Sequence, residues 1–240
     1  MTRDQEIADR LGAVRQQLAE AAARAGRAPD AVRLVAVSKK MTADDVRAAL
    51  AVGQRDFGEN YAQELRDKRA ALAGEPAAPR WHYIGPLQRN KVKLLAGQVA
   101  LIHSVADTDI VDEIERRAGE PAAGAPSQAC LIQVNVSGEA RKSGVDPAAL
   151  PALLDRFAAA RHCHCEGLML IPPLEDDPAR TRRHFAALRG LAEREARVAR
   201  PRVELKELSM GMSGDFVAAI EEGATLVRVG SAIFGERVVR

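Results

Sequence analysis

The stretch Val32-Arg33-Leu34-Val35-Ala36-Val37-Ser38-Lys39 reads as a short apolar strand that ends in polar residues. Working outward from it, similar apolar runs occur at Arg55 to Phe57, Trp81 to Ile84, Ala100 to His103, Ala129 to Val136, His164 to Ile171, Val203 to Leu208 and Thr225 to Val229. The segments between them carry helix signals: Thr42 precedes Val46 and Leu50 with Gly53 at the exit, Asp146-Pro147 precedes Leu150, Leu153 and Leu154, and Ser213 precedes Phe216, Val217 and Ile220 with Gly223 as the stop. Upstream, Ile7, Leu11, Val14 and Leu18 fall at helical spacing, with Thr2 and Gln5 placed for a capping box.

Strands alternating with helices over 240 residues predict a parallel sheet, and a count of eight favours closure over an open doubly wound sheet. The expected fold is therefore α/β, a single (β/α)8 TIM-type barrel with an extra N-terminal helix, residues 1–240 forming one domain. Ala71 to Pro79 and Gly119 to Pro126 read as surface loops within it, and no sequence repeat is evident.

Composition narrows the function classes. An apolar fraction of 47% with 28% charged residues describes a globular chain, and a net charge of +2 without a basic stripe argues against nucleic acid as a partner. No stretch has the length of a membrane span, and Met1-Thr2-Arg3-Asp4-Gln5-Glu6 is charged where a signal peptide would be apolar, so a cytoplasmic protein is expected. The run Arg161-His162-Cys163-His164-Cys165 could suggest a metal. In a strand, however, its cysteines and histidines face opposite ways and no second ligand pair is spaced to complete a site, so no metal is expected.

The unusual polar residues sit at strand C-terminal ends: Lys39, Gly58-Glu59-Asn60, Gly85-Pro86-Leu87-Gln88, His103-Ser104, Asn135 with Ser137 to Lys142, Ser209 to Ser213, and Arg228 with Gly230-Ser231. A parallel barrel brings these to one mouth, where such folds build their sites. Alternation puts Val35, Val37 and Lys39 on the inner face of the first strand and Lys40 on the other. A partly desolvated lysine has a lowered pKa and can attack an aldehyde; the plainer reading pairs it with a carboxylate such as Glu59. Gly230-Ser231-Ala232-Ile233-Phe234-Gly235 and Ser209-Met210-Gly211-Met212-Ser213-Gly214-Asp215, after the last two strands, look like the two halves of a phosphate cup. Each alone is as well read as a turn and helix cap. Arg228, inward among apolar neighbours, needs either a buried ion pair or a ligand acceptor such as a pyridine nitrogen.

Over nearly its whole length the chain resembles the pyridoxal phosphate homeostasis proteins, a one-domain relative of the alanine racemase barrel. The resemblance rests on Leu34 to Lys39, Phe57 to Glu64, Trp81 to Lys91, Gln133 to Val136, Lys142-Ser143-Gly144, Gly167-Leu168-Met169, Leu208 to Ser213 and Val227 to Gly235. It implies that Lys39 holds pyridoxal 5'-phosphate as a Schiff base and that Arg228 meets the pyridine nitrogen. It further implies that Ser209, Met210, Ser213, Gly230 and Ser231 cradle the phosphate, with Asn60 as a further pocket residue. The sequence departs from the family pattern at Lys40-Met41, where Thr-Lys is frequent, and at Ser231, where threonine is common but the hydroxyl is kept.

An arginine cannot hand a proton to the ring nitrogen, which weakens the cofactor as an electron sink. Racemases of the resembling lineage add a tyrosine base from a second domain, whereas this chain has only Tyr61 and Tyr83, both within barrel motifs. The expectation is a monomeric carrier that stores pyridoxal phosphate and delivers it to dependent apoenzymes. The alternatives are a slow racemase or lyase using the same cofactor, and a cofactor-free Schiff-base aldolase.

Overall fold

Val35 is buried with Leu101, Leu131, Met169 and Leu226 in a cluster of their own, whereas Leu34 and Ala36 join the large cluster that includes the helix residues Leu11 and Val46. One strand thus has two buried apolar faces, as in any parallel sheet covered on both sides, and a sheet wrapped on itself under a layer of helices supplies both covers. The computed structural model, which describes residues 1–120, 127–139, 143–173 and 177–235, shows this arrangement: eight strands, all paired in parallel, close in chain order. They are β1 (Arg33–Val37), β2 (Asp56–Glu59), β3 (Arg80–Tyr83), β4 (Leu101–Val105), β5 (Gln128–Gln133), β6 (Cys163–Met169), β7 (Val203–Ser209) and β8 (Leu226–Val229). The fold is a (β/α)8 barrel.

The helices are α1 (Arg3–Arg24), α2 (Ala43–Ala51), α3 (Ala62–Ala71), α4 (Thr108–Ala118), α5 (Leu150–Ala158), α6 (Pro178–Glu195), α7 (Phe216–Glu221) and α8 (Ser231–Phe234). The β3–β4 connection departs from the regular alternation, carrying a 3-10 helix at Arg89–Leu94. The extra helix α1 buries Ile7, Leu11, Val14 and Leu18 and packs on α2, α7 and α8, across the place where β8 meets β1. Arg3 Nη2 ties it to the Phe234 carbonyl at 2.8 Å.

Local chemistry explains where the sequence expectations and the structure part. At α1 only half of the expected capping box forms: Thr2 Oγ1 accepts from Gln5 N, but the Gln5 side chain donates to Asp9. At α2 the box is complete, with Asp45 as the reciprocal partner of Thr42. Ser213 does not cap α7, which starts after Asp215, because its hydroxyl faces the loop after β8. The expected fifth strand is too long, since beyond Gln133 only Val134 bridges, to Val145. In β6, Cys163 and Cys165 point into the core while His164 meets Ser127 and Glu166. Lys142 and residues 121–126 of the expected surface loop lie outside the described residues. Among the described residues no helix is long and apolar enough to cross a membrane.

The β6–β7 pair changes register around Gly167, where the strands approach so closely that a Cβ would lie 1.9 Å from the Glu207 carbonyl oxygen. Backbone cannot yield there as a side-chain tip could. Gly167→Ala is expected to cost about 3 kcal/mol or more, whereas Gly190→Ala, in an exposed part of α6 with nothing within 4 Å, is expected to gain about 0.5–1 kcal/mol. Urea unfolding of the two variants checks this, and equal midpoints would contradict the packing described.

Candidate functional site

β1 delivers Val37 to the mouth, and the chain then turns sharply: Met41 N donates to Ser38 O, and Lys40 takes a left-handed φ of 63°. The turn is anchored from behind. Lys40 N donates to Glu64 Oε1, and Lys68 Nζ donates to Ser38 O, Glu59 Oε1 and Glu64 Oε1 at 2.6–2.7 Å. The geometry leaves Lys40 exposed and places Lys39 on the wall of a pocket of about 280 Å³. Glu59, the carboxylate expected as the plainer partner of Lys39, has its ion pair with Lys68 and also accepts from Ser38 Oγ.

The same pocket is lined by Val37, Asn60, Ile84, Ile171, Met212, Ser213, Gly214, Arg228, Gly230 and Ser231. Of the site residues expected from sequence, the structure brings together Lys39, Asn60, Ser213, Arg228, Gly230 and Ser231. The loops after β7 and β8 meet: Gly230 N and Ala232 N donate to Ser213 Oγ at 3.2 and 3.4 Å. Glycine at 211 is required for this, because its φ is +92° and a Cβ would lie 2.6 Å from the Ala219 Cβ. Asn60 is held by the opposite loop, where Gly85 packs so tightly that a Cβ would meet the Asn60 carbonyl oxygen at 2.2 Å.

Ser209 and Met210 are placed differently from expectation. Neither is on the pocket lining. Ser209 is the last residue of β7 and fully buried, its hydroxyl accepting from Arg228 Nη1 at 2.7 Å. Met210 points into the outer core, and its N–H is used by the Leu226 carbonyl. Alternation at the strand end turns one residue down into the barrel and the next outward, leaving the loop beyond to line the pocket. Met212 and Gly214 fall in the stretch read as one half of the phosphate cup, whereas sequence reasoning left Ile84 and Ile171 out of the site; for these two the inward register at the ends of the third and sixth strands was the available signal.

Arg228 has 4% exposure, and it donates Nη2 to the Leu170 carbonyl at 2.9 Å in addition to Ser209. The buried ion pair is absent among the described residues, so neutral acceptors hold the cation. Burial draws its pKa down to about 10, partly countered by the charge of Asp215, and it remains a cation at neutral pH. Asn60 lines the pocket, while its own Oδ1 is buried with no hydrogen-bond partner. An amine, a fixed guanidinium and hydroxyl and N–H groups around an apolar wall suit a small anionic aromatic aldehyde.

Residues 10–238 match the family described as alanine racemase, N-terminal domain. The pyridoxal phosphate homeostasis proteins of Pseudomonas aeruginosa and Aquifex aeolicus are 45% and 41% identical, over 96% and 95% of this chain and 96% and 97% of their own length. The solved structure of PipY from Synechococcus elongatus with pyridoxal phosphate bound is 39% identical, with a TM-score of 0.83 over 95% of this chain and all of that one. The chain belongs to the alanine racemase N-terminal-domain family and, within it, to the pyridoxal phosphate homeostasis proteins.

Beneath Ser209 lies His103, fully buried and held neutral: burial, and after it the neighbouring His82, Arg228 and Arg33, lower its pKa well below 6.5. Unfolding exposes it, so below pH 6.5 the unfolded chain binds the proton that the folded one refuses. The stabilisation is complete above that value and is lost as pH falls toward the folded pKa. Between pH 7.5 and 5.5 this single group should remove about 1 kcal/mol of stability. The check is urea unfolding at both values, with His103→Asn showing the shallower dependence; equal slopes in the two proteins would contradict the assignment.

Proposed function

We propose that this pocket holds pyridoxal phosphate as a Schiff base on Lys39 Nζ, and that the protein stores and delivers the cofactor rather than running robust catalysis with it. The observation that carries the proposal is the convergence of Lys39, Asn60, Arg228 and the Ser213–Gly230–Ser231 lips on one pocket. The relatives' names and the cofactor bound to PipY support it. Lys39 Nζ would hold the aldehyde carbon, in a linkage open to exchange with an incoming amine. Bound in this way, the cofactor would supply an electron sink for carbanion chemistry.

The chain's own residues account for restraint. Arg228, on the pocket lining, would donate to a ring acceptor there while keeping its own proton, so that the acceptor would gain a hydrogen bond and no charge. Ser213 Oγ and the N–H groups of Gly230 and Ala232 already face one another, a set of donors that turns to phosphate oxygens with little rearrangement. Tyr83, one of two tyrosines, donates to the Pro86 carbonyl, and Tyr61 is exposed. We read neither as a second base, and residues 1–240 as one monomeric cytoplasmic domain whose recipients are cofactor-dependent apoenzymes.

The wild-type protein with pyridoxal phosphate should show a visible absorption band that Lys39→Ala lacks. Ser213→Ala should retain the band while weakening affinity about 3- to 10-fold. Incubation with amino acids should give no turnover above the Lys39→Ala control. A wild type that stays colourless with the cofactor, or a Lys39→Ala protein that keeps the band, would overturn the reading; turnover above the control would shift it to the slow racemase or lyase.

A further inference from the structure

Behind Arg228 an unbroken line of hydrogen bonds crosses the barrel interior. Ser209 Oγ, which accepts from Arg228 Nη1 at 2.7 Å, is 2.8 Å from His103 Nδ1. His103 Nε2 is 2.9 Å from His82 Nδ1, and His82 Nε2 is 2.9 Å from Asp56 Oδ1. Asp56 Oδ2 accepts from Arg80 Nη2 at 2.6 Å. Arg228, Ser209, His103, His82 and Asp56 are all buried, at 0–6% exposure, and come from β8, β7, β4, β3 and β2. The line therefore joins the pocket floor to the opposite end of the barrel, where Asp56 and Arg80 begin their strands.

Its carboxylate end fixes its direction. A guanidinium can only donate, so Ser209 Oγ accepts from Arg228 and keeps its own hydrogen available for His103 Nδ1. His103 then carries its proton on Nε2 and donates to His82 Nδ1, and His82 carries its proton on Nε2 and donates to Asp56. An ionised carboxylate can only accept, so the far end demands the same order. Burial alone would raise the pKa of Asp56, but the hydrogen bonds from His82 and Arg80 outweigh it and hold the carboxyl below its usual value. Every donor in the line has one acceptor. Reversal would face two bare acceptors, His82 Nε2 and the carboxylate, at Asp56.

We propose that His103 is a positioning residue for Arg228, acting through Ser209 and locked from below by His82 and Asp56, so that a carboxylate at the far end of the barrel sets how the guanidinium meets its ligand. Arg228 has neutral acceptors only, and neutral hydrogen bonds alone orient a cation loosely. Chained polar groups polarise one another, and here the chain ends on an anion. The inference rests on the reading of pyridoxal phosphate as the ligand, but its first test does not use the ligand.

Long-range 1H–15N correlation spectra of histidine-labelled protein at pH 7.5, without cofactor, should show His103 and His82 both neutral with the proton on Nε2. A proton on Nδ1 of either, or a charged His103, overturns the relay whatever the protein binds. With pyridoxal phosphate, Asp56→Asn should weaken affinity about tenfold and shift the visible band, although it lies at the opposite end of the barrel. His103→Asn, whose amide oxygen can take the Ser209 hydrogen, should stay closer to wild type than His103→Leu does. Identical affinity and band position in wild type, Asp56→Asn and His103→Leu would reject the positioning role. Should these variants fail to fold, the tautomers of the unaltered protein still decide. A wild type with the expected tautomers that takes up no pyridoxal phosphate would instead reject the functional reading and the ligand assigned to Arg228.

Discussion

The seam between β1 and β8 is the constraint on which the site depends. Its register pairs Val35 with Arg228 and Ala36 with Val229, closing the barrel and setting the first and last strands side by side. Residues remote in sequence, Lys39 beyond one strand and Gly230-Ser231 beyond the other, become neighbours only through that closure. Helix α1 lies across the same seam, so the segment that precedes the barrel stabilises the join that makes the pocket.

Within the pocket the electrostatics are economical. Burying a guanidinium among neutral groups is expensive, and the cost falls when a ligand or a polarised chain supplies electron density. Arg228 has both directions available: the pocket above, and Ser209 with the histidine line below. A cation so held can orient a ring acceptor without giving it a proton, which fits retention and exchange of a cofactor better than carbanion chemistry. The lysine turn is braced by the Glu59–Lys68–Glu64 cluster on its outer side, leaving Lys39 on the pocket wall.

Much of this was legible in the sequence for one reason. Period-two alternation in parallel strands dictates which residues turn inward, and the order of strands dictates which ends converge. That logic separated Lys39 from Lys40, placed Arg228 inside and recognised the two Gly/Ser lips. It failed where a one-residue distinction decides between floor and lining, as at Ser209 and Met210, and where helix starts depend on competing side-chain partners, as at Gln5 and Ser213. The histidine line was not legible at all. His82 and His103 lie on the paired strands β3 and β4, and only the register of that pair sets their ring nitrogens 2.9 Å apart.

The central claim is a covalent one, that Lys39 Nζ is the atom that captures the aldehyde. Borohydride reduction of the protein loaded with pyridoxal phosphate, followed by digestion and mass mapping of the peptides, tests it directly. A reduced pyridoxyl group is expected on the peptide containing Lys39, with Lys40 and Lys68 unmodified at stoichiometric loading. A pyridoxyl group found only on another lysine, or on none, would contradict it.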